Sequence, residues 1–312
     1  MAEELGLLGH DVYVLAPHGS HGGHFKVITP VAPAFNNPEG PAYEAIKPSL
    51  RDFDIIHDHS WAAHVYLAKR EWPKLNVLHT IHSPNPYDSN PVEKPCWVTP
   101  SYWLKEHTQK RLGTLCEVIY HGIDLGRHKP HLEAKEDFLL YLARVTPFKG
   151  ALEFVELCKA TGWRGKLAGE DWYVEDQGFV RSIMDACAAT NGQVEYLGRA
   201  GQEWKVELLQ QAACLVTPLM PPYYEIFGLS TIEAMACGTP VLSTDRGAAK
   251  ELIIHGQTGA IAINETCLET NLELALSCKP EDCIKRAEEF SARKMARNHV
   301  SLYNKVLNGA SW

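Results

Sequence analysis

The sequence lacks any long apolar run, because no stretch of its 312 residues approaches the roughly 18 to 20 apolar residues of a membrane-spanning helix. Met1 is not followed by the basic and then apolar segment that directs secretion. An excess of positive charge is also absent, since the formal net charge is −8. We therefore expect a cytoplasmic protein without a transmembrane segment, whose partner is neither nucleic acid nor an anionic membrane.

Paired cysteine motifs are missing too. None of the nine cysteines forms a CxxC pair, and the closest two are Cys278 and Cys283. An odd number of scattered cysteines favours reduced, buried thiols over a disulfide framework.

The length and the order of segments indicate two α/β domains. A chain of 312 residues exceeds the size at which one core usually keeps growing, so we expect two domains of about 130 to 160 residues each. Strand-like segments alternate with short helical ones, which is typical of parallel sheets with helices on both faces. A charged stretch around Pro130 interrupts this alternation. We predict a first Rossmann-like domain over 1–128, a second over 129–291, and a C-terminal helical segment over 292–312 that packs back toward the first domain.

The most informative motif runs from Glu225 to Glu233, EIFGLSTIE, and sets two carboxylates around a predicted helix start. Gly228 removes steric restriction on the backbone there, and Ser230 and Thr231 can cap the helix. The free N–H groups and the helix dipole at such a start favour a phosphate. Both glutamates would then reach hydroxyls of the same ligand. The alternative for Glu233 is a structural carboxylate in the first turn, where the dipole favours it.

Two cations follow the first predicted strand of the second domain. Arg144 leaves the end of FLLYLAR, and Lys149 lies just before the next helix. In open α/β sheets, ligands bind at the carboxyl ends of the strands. An arginine and a lysine at that edge, opposite a phosphate-binding helix start, indicate a diphosphate site. Taken alone, they would be ordinary solvated charges.

Together with DIIHDHS, TIHS, VIYHGIDLGRHKP, VEYLGR and RGAAKELIIHGQTG, these motifs resemble the retaining nucleotide-sugar glycosyltransferases of family four. The resemblance covers the chain from about residue 2 to its end. It implies the GT-B fold, an α/β architecture in which two doubly wound Rossmann-like domains face a cleft. It also implies metal-independent transfer of a hexosyl group from a UDP- or GDP-sugar to a hydroxyl acceptor. That acceptor would be a sugar, a lipid-linked molecule or a small molecule. No cofactor is implied beyond the co-substrate.

The resemblance also assigns site residues. Glu225 would bind hydroxyls of the donor sugar, and Glu233 those of the ribose. Arg144 and Lys149 would stabilise the leaving diphosphate. The implied catalytic residues are His82, Arg144, Lys149 and Glu225, and the implied donor-binding residues are Arg144, Lys149, Gly198, Arg199, Glu225, Ile226, Phe227, Gly228, Leu229 and Glu233.

Histidines mark the sheet edge of the first domain. His82, at a strand end in TIHS, matches the family histidine near the transferring sugar. The alternative interpretation is that His82 is a structural histidine of the core. His57 and His59 lie two apart on a predicted strand and should point to the same side, with Asp58 opposite. These histidines and His79 are conceivable metal ligands, but they form no tight ligand motif. We therefore expect no metal.

The start of the sequence departs from the family pattern, which opens with a strand and a glycine-rich turn. Here residues 2–9 already indicate a helix that ends at Gly9, and a strand follows over 10–17. We expect the first domain to lack its opening strand, with residues 18–25, another chain or a ligand filling the gap. An exposed crevice there would favour a homo-oligomer. Two alternatives therefore stay open: a catalytically weak or inactive nucleotide-sugar- or glycan-binding partner subunit, and an epimerase or phosphorylase on the same frame.

Overall fold

The protein is described here by a computed structural model that covers residues 1–16, 21–28, 39–61, 63–85, 96–130, 135–169 and 176–312. It forms two compact units. The first unit joins Met1–Gly122 to Ala292–Trp312, and the second comprises Ile123–Ser291.

The division lies between Gly122 and Ile123, earlier than the predicted boundary after residue 128. Hydrogen bonding explains the difference, because the Ile123 amide donates to the Phe290 carbonyl at 2.9 Å and so joins the second unit. The segment 292–312, predicted as a helix that packs back toward the first domain, is grouped with the first unit.

Helices and strands alternate along the chain, as predicted. In chain order, the described elements are α1 Ala2–Leu7, β1 Tyr13–Leu15, β2 Lys26–Ile28, α2 Glu39–Ile46, β3 Ile56–Asp58, α3 His64–Ala68, β4 Val77–Thr80, β5 Trp97–Thr99, α4 Tyr102–Leu112, β6 Cys116–Val118, β7 Glu136–Leu142, α5 Ala151–Thr161, β8 Arg164–Ala168, α6 Gln177–Ala188, β9 Val194–Gly198, α7 Gln202–Gln211, β10 Ala212–Thr217, α8 Leu229–Ala236, β11 Val241–Thr244, α9 Ala249–Leu252, β12 Gly259–Ala262, α10 Leu268–Leu276, α11 Pro280–Ala287 and α12 Ala292–Leu307.

The second unit contains a parallel sheet with the strand order β12-β11-β10-β7-β8-β9. The chain runs outward from β7 through β8 to β9, and then returns to the other side of β7 to form β10, β11 and β12. The order therefore reverses between β7 and β10, and ligands bind at this switch point in doubly wound sheets. The predicted α/β class is confirmed.

The strands of this sheet are buried because helices cover them. In β7, Leu139 and Tyr141 pack in one core with Phe154 of α5 and Leu167 of β8. Such continuous apolar strands are typical of parallel sheets, and fully burying one large apolar side chain contributes roughly 1.5–3 kcal/mol. The sheet is thus a rigid support for the loops at its carboxyl edge.

The first unit contains a parallel sheet of β3-β4-β5-β6 and, among the described residues, a separate parallel pair, β1-β2. The predicted strand over 10–17 is β1, and the predicted segment 18–25 lies partly outside the described residues. Helix α12 packs on the four-stranded sheet, where Met295 and Leu302 join Leu78 and Val98 in one core.

One lysine of the second unit joins the ends of two helices. Lys135 Nζ donates to the carbonyl of Gln210 at 2.6 Å, near the end of α7, and to that of Cys237 at 3.1 Å, just after α8. It also donates to Thr239 Oγ1 at 2.9 Å. These contacts fix the end of α7 against the end of α8.

None of the nine cysteines forms a disulfide, and all except Cys267 are buried. This agrees with the prediction of reduced, buried cysteines. Within the described ranges, no helix is long and apolar enough to cross a bilayer.

Candidate active site

Two loops meet at the switch point of the second unit. The loop after β7 contains Phe148 and Gly150, and the loop after β10 contains Pro218 and Met220. The Met220 amide donates to the Phe148 carbonyl at 3.0 Å. Gly150 has a φ of 73°, and a Cβ there would lie 1.8 Å from the Pro218 carbonyl oxygen. Only glycine permits so close an approach of the two backbones.

These loops bring Lys149 and Glu225 together, as their positions in the sequence led us to expect. Lys149 Nζ lies 2.5 Å from Glu225 Oε2, in a pair whose side chains are 12% and 24% exposed. The same ammonium donates to the Tyr223 hydroxyl at 2.9 Å. Burial by itself would lower the pKa of Lys149, but the charge of Glu225 and the Tyr223 hydroxyl raise it. Lys149 is therefore a fixed positive charge at neutral pH.

Helix α8 begins directly after these residues. Its N-cap is Gly228, with a φ of 101°, and no side chain caps the helix start. The prediction that Ser230 and Thr231 cap the helix is therefore wrong, because the helix already begins at Leu229. Since no side chain occupies the first turn as a cap, its N–H groups can bind an anion.

The remaining predicted donor-binding residues of the motif lie around this helix start. Phe227 is buried and packs edge-on against Phe290, with ring centroids 6.0 Å apart. Leu229 is exposed, and Ile226 is partly buried. Phe227 thus anchors the turn in the core while its backbone continues toward the helix start.

A segment after β11 fixes the backbone of Glu225. The Ala248 amide donates to the Glu225 carbonyl at 2.8 Å, and Gly247 pairs with Glu225 in an isolated parallel bridge. A Cβ on Gly247 would lie 2.1 Å from that carbonyl oxygen. The glycine of RGAAKE therefore fixes the backbone that presents the Glu225 carboxylate.

Glu233 lies in the fifth position of α8, and no acidic residue occupies the first turn. The alternative of a first-turn structural carboxylate is therefore wrong. Instead, Glu233 Oε1 accepts a hydrogen bond from Lys205 Nζ of α7 at 2.9 Å, and it lies 3.6 Å from His128 Nε2. Sequence motifs did not predict a role for Lys205, His128 or Tyr223.

The other predicted cation, Arg144, and the predicted donor-binding residues Gly198 and Arg199 lie at the same edge of the sheet, since they follow parallel strands. Arg144 is exposed just after β7, and its carbonyl accepts a hydrogen bond from the Tyr141 hydroxyl at 2.9 Å. Gly198 ends β9 with a φ of 65°, and the exposed Arg199 follows it. Within the described ranges, neither Arg144 nor Arg199 forms a side-chain hydrogen bond or ion pair with Lys149 or Glu225.

The first unit collects several histidines at the carboxyl edge of its sheet. His82 follows β4 and is exposed, its Nε2 lies 2.9 Å from His59 Nδ1, and its ring stacks on His121 with centroids 5.5 Å apart. Desolvation of the ring by the surrounding protein and the charge of His79 lower the pKa of His82, although Asp58 opposes this. His82 is thus a neutral imidazole at pH 7.

The neighbouring strand positions follow the predicted alternation. His57 bonds to the Tyr303 hydroxyl and to Thr80 Oγ1, both at 2.7 Å, and its ring lies 4.0 Å from that of His59. Asp58 faces away and lies 3.5 Å from His79 Nδ1. In the part of the chain that the structure describes, no group of three or more His, Cys, Asp or Glu side chains is arranged to hold a metal ion.

Two family models together match most of the chain. The model of glycosyl transferases group 1 matches residues 124–290, and the model of glycosyltransferase family 4 matches residues 1–127. A glycogen synthase of Mycobacterium tuberculosis is 27% identical over 242 residues, which are 66% of this chain and 55% of that protein. The chain thus spans about half the length of the glycogen synthase it matches.

Solved structures share the fold. The crystal structure of AviGT4, a glycosyltransferase involved in avilamycin A biosynthesis, has a TM-score of 0.75 at 26% identity and covers 99% of this chain and 88% of that one. HepE of Anabaena, crystallised with UDP-glucose, has a TM-score of 0.71 at 17% identity and covers 90% of this chain and 86% of that one. With two α/β units, parallel sheets and these neighbours, the chain has the GT-B fold. Since the group 1 model alone matches more than half of the chain, and the family 4 model matches most of the remainder, the chain belongs to the family 4-type glycosyltransferases.

Proposed function

We propose that the chain is a retaining glycosyltransferase that moves a hexosyl group from a UDP- or GDP-sugar to a hydroxyl acceptor without a metal ion. The observation that carries this proposal is the Lys149–Glu225 pair beside the uncapped start of α8, at the switch point of the sheet. The UDP-glucose in the HepE structure supports a nucleotide-sugar donor for this fold.

In this proposal, the donor diphosphate lies at the start of α8. The N–H groups of the first turn bind one phosphate, and the positive end of the dipole stabilises its charge. Lys149 and Arg144 neutralise the rest of the diphosphate. Lys149 is held by Glu225 and Tyr223 before the donor arrives, so little reorganisation is needed when charge develops on the leaving group.

Glu225 would turn its carboxylate to the sugar. Its Oε2 binds Lys149, which leaves Oε1 to accept a hydrogen bond from a donor hydroxyl. A carboxylate that contacts both the cation and the sugar fixes the sugar relative to the diphosphate. Such positioning lowers the barrier by removing orientational freedom before the reaction.

The chemical step needs no protein base. The acceptor oxygen forms a bond to the anomeric carbon on the face from which the diphosphate leaves, and the bond between that carbon and the phosphate oxygen breaks. The acceptor proton passes to the departing phosphate oxygen, so the products are the glycoside and the nucleoside diphosphate. The role of the protein is to stabilise the negative leaving group and to exclude water.

His82 would act on the acceptor side of the reaction. Because its lowered pKa keeps the imidazole neutral at pH 7, it can exchange hydrogen bonds with a hydroxyl without adding a charge. The acceptor in this proposal is a sugar, a lipid-linked molecule or a small molecule with a free hydroxyl.

The test measures nucleotide release from a panel of UDP-, GDP- and ADP-sugars, with and without acceptors. Glu225→Ala should lower kcat/KM by about 10²- to 10³-fold, the usual effect of losing one group that stabilises the transition state. Glu136→Ala serves as the control, because Glu136 also pairs with a lysine but lies at the opposite end of β7.

The possible outcomes separate the alternatives. Donor binding without any turnover would favour the binding-protein hypothesis and contradict the proposal. A chelator should leave turnover unchanged. Inhibition by chelator that an added divalent metal reverses would contradict metal independence.

A further inference from the structure

His128 is a buried histidine in an otherwise exposed turn. Its side chain is 4% exposed, whereas Arg127 and Lys129 on either side are exposed. The turn is well fixed, because Asp124 Oδ1 accepts a hydrogen bond from the Gly126 amide at 2.9 Å. Gln210 Nε2 of α7 also donates to the Lys129 carbonyl at 2.9 Å. These hydrogen bonds therefore fix the His128 imidazole in position beside α7 and α8.

The two ring nitrogens of His128 differ in their partners. Nδ1 lies 3.0 Å from the Asp124 carbonyl, which can only accept, so Nδ1 carries the proton. Among the described residues, Nε2 is buried without a hydrogen-bond partner. In the neutral ring, Nε2 is therefore a hydrogen-bond acceptor without a donor. A buried polar atom without a partner destabilises the fold unless something binds it.

The unpartnered nitrogen faces the glutamate of the proposed donor site. His128 Nε2 lies 3.6 Å from Glu233 Oε1, which is beyond hydrogen-bond distance. Lys205 Nζ supplies one donor to Oε1 from the other side. Glu233 and Lys205 are 12% and 20% exposed. The cluster thus combines acceptors that lack donors with an opening to solvent.

A vicinal diol fits this arrangement. Each hydroxyl of a diol can donate one hydrogen bond and accept others. One hydroxyl donates to Glu233 and the adjacent one to His128 Nε2, while Lys205 donates to a hydroxyl oxygen. A diphosphate or a carboxylate would not fit, because it brings only acceptors to a site that already has too many.

We propose that His128 Nε2 and the Glu233 carboxylate together bind the 2′,3′-diol of the donor ribose, so that the chain selects ribonucleotides over deoxyribonucleotides. This inference rests on the proposed function, which places the donor diphosphate at the start of α8, the helix that carries Glu233 at its fifth position. It adds a second ribose ligand from a turn that lies 105 positions away in the sequence.

The test compares binding of UDP and GDP with that of their 2′-deoxy and 3′-deoxy forms, by calorimetry, for the wild type and two variants. His128→Phe keeps a planar ring but removes the acceptor, and His128→Gln restores a polar group. His299→Phe is the matched control. In the first unit, His299 is also buried, its Nδ1 bonds to the Met295 carbonyl at 2.9 Å, and its Nε2 has no hydrogen-bond partner.

The wild type should bind the ribonucleotide more tightly than at least one deoxy form. His128→Phe should weaken ribonucleotide binding by about three- to tenfold, the effect of losing one hydrogen bond. It should leave binding of the affected deoxy form unchanged, so that the preference falls by the same factor. His128→Gln should retain part of the preference, and His299→Phe should retain all of it.

The outcomes distinguish this inference from the proposed function. If His128→Phe or, should that variant fail to fold, His128→Gln keeps the full wild-type preference, the His128 subsite is refuted while the proposed function stands. If His299→Phe lowers the preference equally, the effect is not specific to this site, and the inference is likewise refuted. If the wild type binds no nucleoside diphosphate at all, both proposals fail.

Discussion

Replacing Lys149 with methionine tests the central electrostatic contact of the proposed site. The substitution removes the ammonium but keeps an unbranched side chain of similar length, so packing changes little. Glu225 Oε2 then loses the partner at 2.5 Å, and Tyr223 loses the donor at 2.9 Å. Removing one partner of a fully buried ion pair costs about 3–5 kcal/mol.

The expected loss of stability is smaller, because water still reaches this pair. Glu225 retains 24% of its side-chain exposure, so we expect unfolding to become easier by about 1–2 kcal/mol. The effect on turnover should be larger. Loss of one preorganised charge on the leaving diphosphate costs roughly 2.7–4 kcal/mol in the transition state, or about 10²- to 10³-fold in kcat.

The assay is nucleotide release at saturating donor, paired with urea unfolding. Lys166→Met is the matched control, because Lys166 is 18% exposed and pairs with Glu136 at 3.5 Å within the same sheet. It should lose less stability, because Glu136 is 48% exposed and ion pairs open to solvent contribute little, and it should keep kcat within about threefold. The reasoning is refuted if Lys149→Met keeps wild-type kcat, or if both lysine variants lose turnover equally.

Two further predictions address the frame around the site. Gly150→Ala should greatly lower stability and abolish donor binding, since its Cβ would lie 1.8 Å from the Pro218 carbonyl oxygen. Gly162 also has a positive φ but has open space around it, so Gly162→Ala should lower the free energy of unfolding by only about 1 kcal/mol. Equal losses of stability in thermal unfolding of the two variants would contradict this prediction. Burial lowers the pKa of His299 from 6.5 to about 4, so its contribution to stability is complete above pH 6.5 and is lost as the pH falls toward 4. His299→Phe should therefore reduce the loss of unfolding free energy between pH 7 and pH 4 by about 3 kcal/mol, and an unchanged pH profile in urea titrations would count against it.

Local sequence patterns predicted the parts of this structure that depend on local physics. The apolar segment that contains Phe138 and Leu142 became β7 because a strand buried on both faces needs such a run. Lys149 and Glu225 met because both follow strands of one parallel sheet, and the carboxyl ends of such strands share an edge. Both predictions therefore needed only the order of elements.

Contacts between residues far apart in the sequence could not be predicted from local sequence patterns. Lys205 reads as one charge on an amphipathic helix, and its pairing with Glu233 depends on how α7 packs against α8. His128 lies in a charged stretch that resembles a linker, although Asp124 organises that stretch into a fixed turn. The capping prediction for Ser230 failed because Gly228 starts the helix earlier, through a backbone conformation that the hydroxyl pattern does not reveal.

Lys135, which joins the ends of α7 and α8, also affects how the proposed nucleotide site adjusts to different donors. Lys135 binds the last turn of α7 and the residue after α8, and these are the helices that carry Lys205 and Glu233. A shift of one helix is therefore passed to the other through this ammonium group as well as through the Lys205–Glu233 ion pair. The Glu233 carboxylate and its lysine partner should move as a pair, so their ion pair persists while the proposed nucleotide site adjusts to different donors.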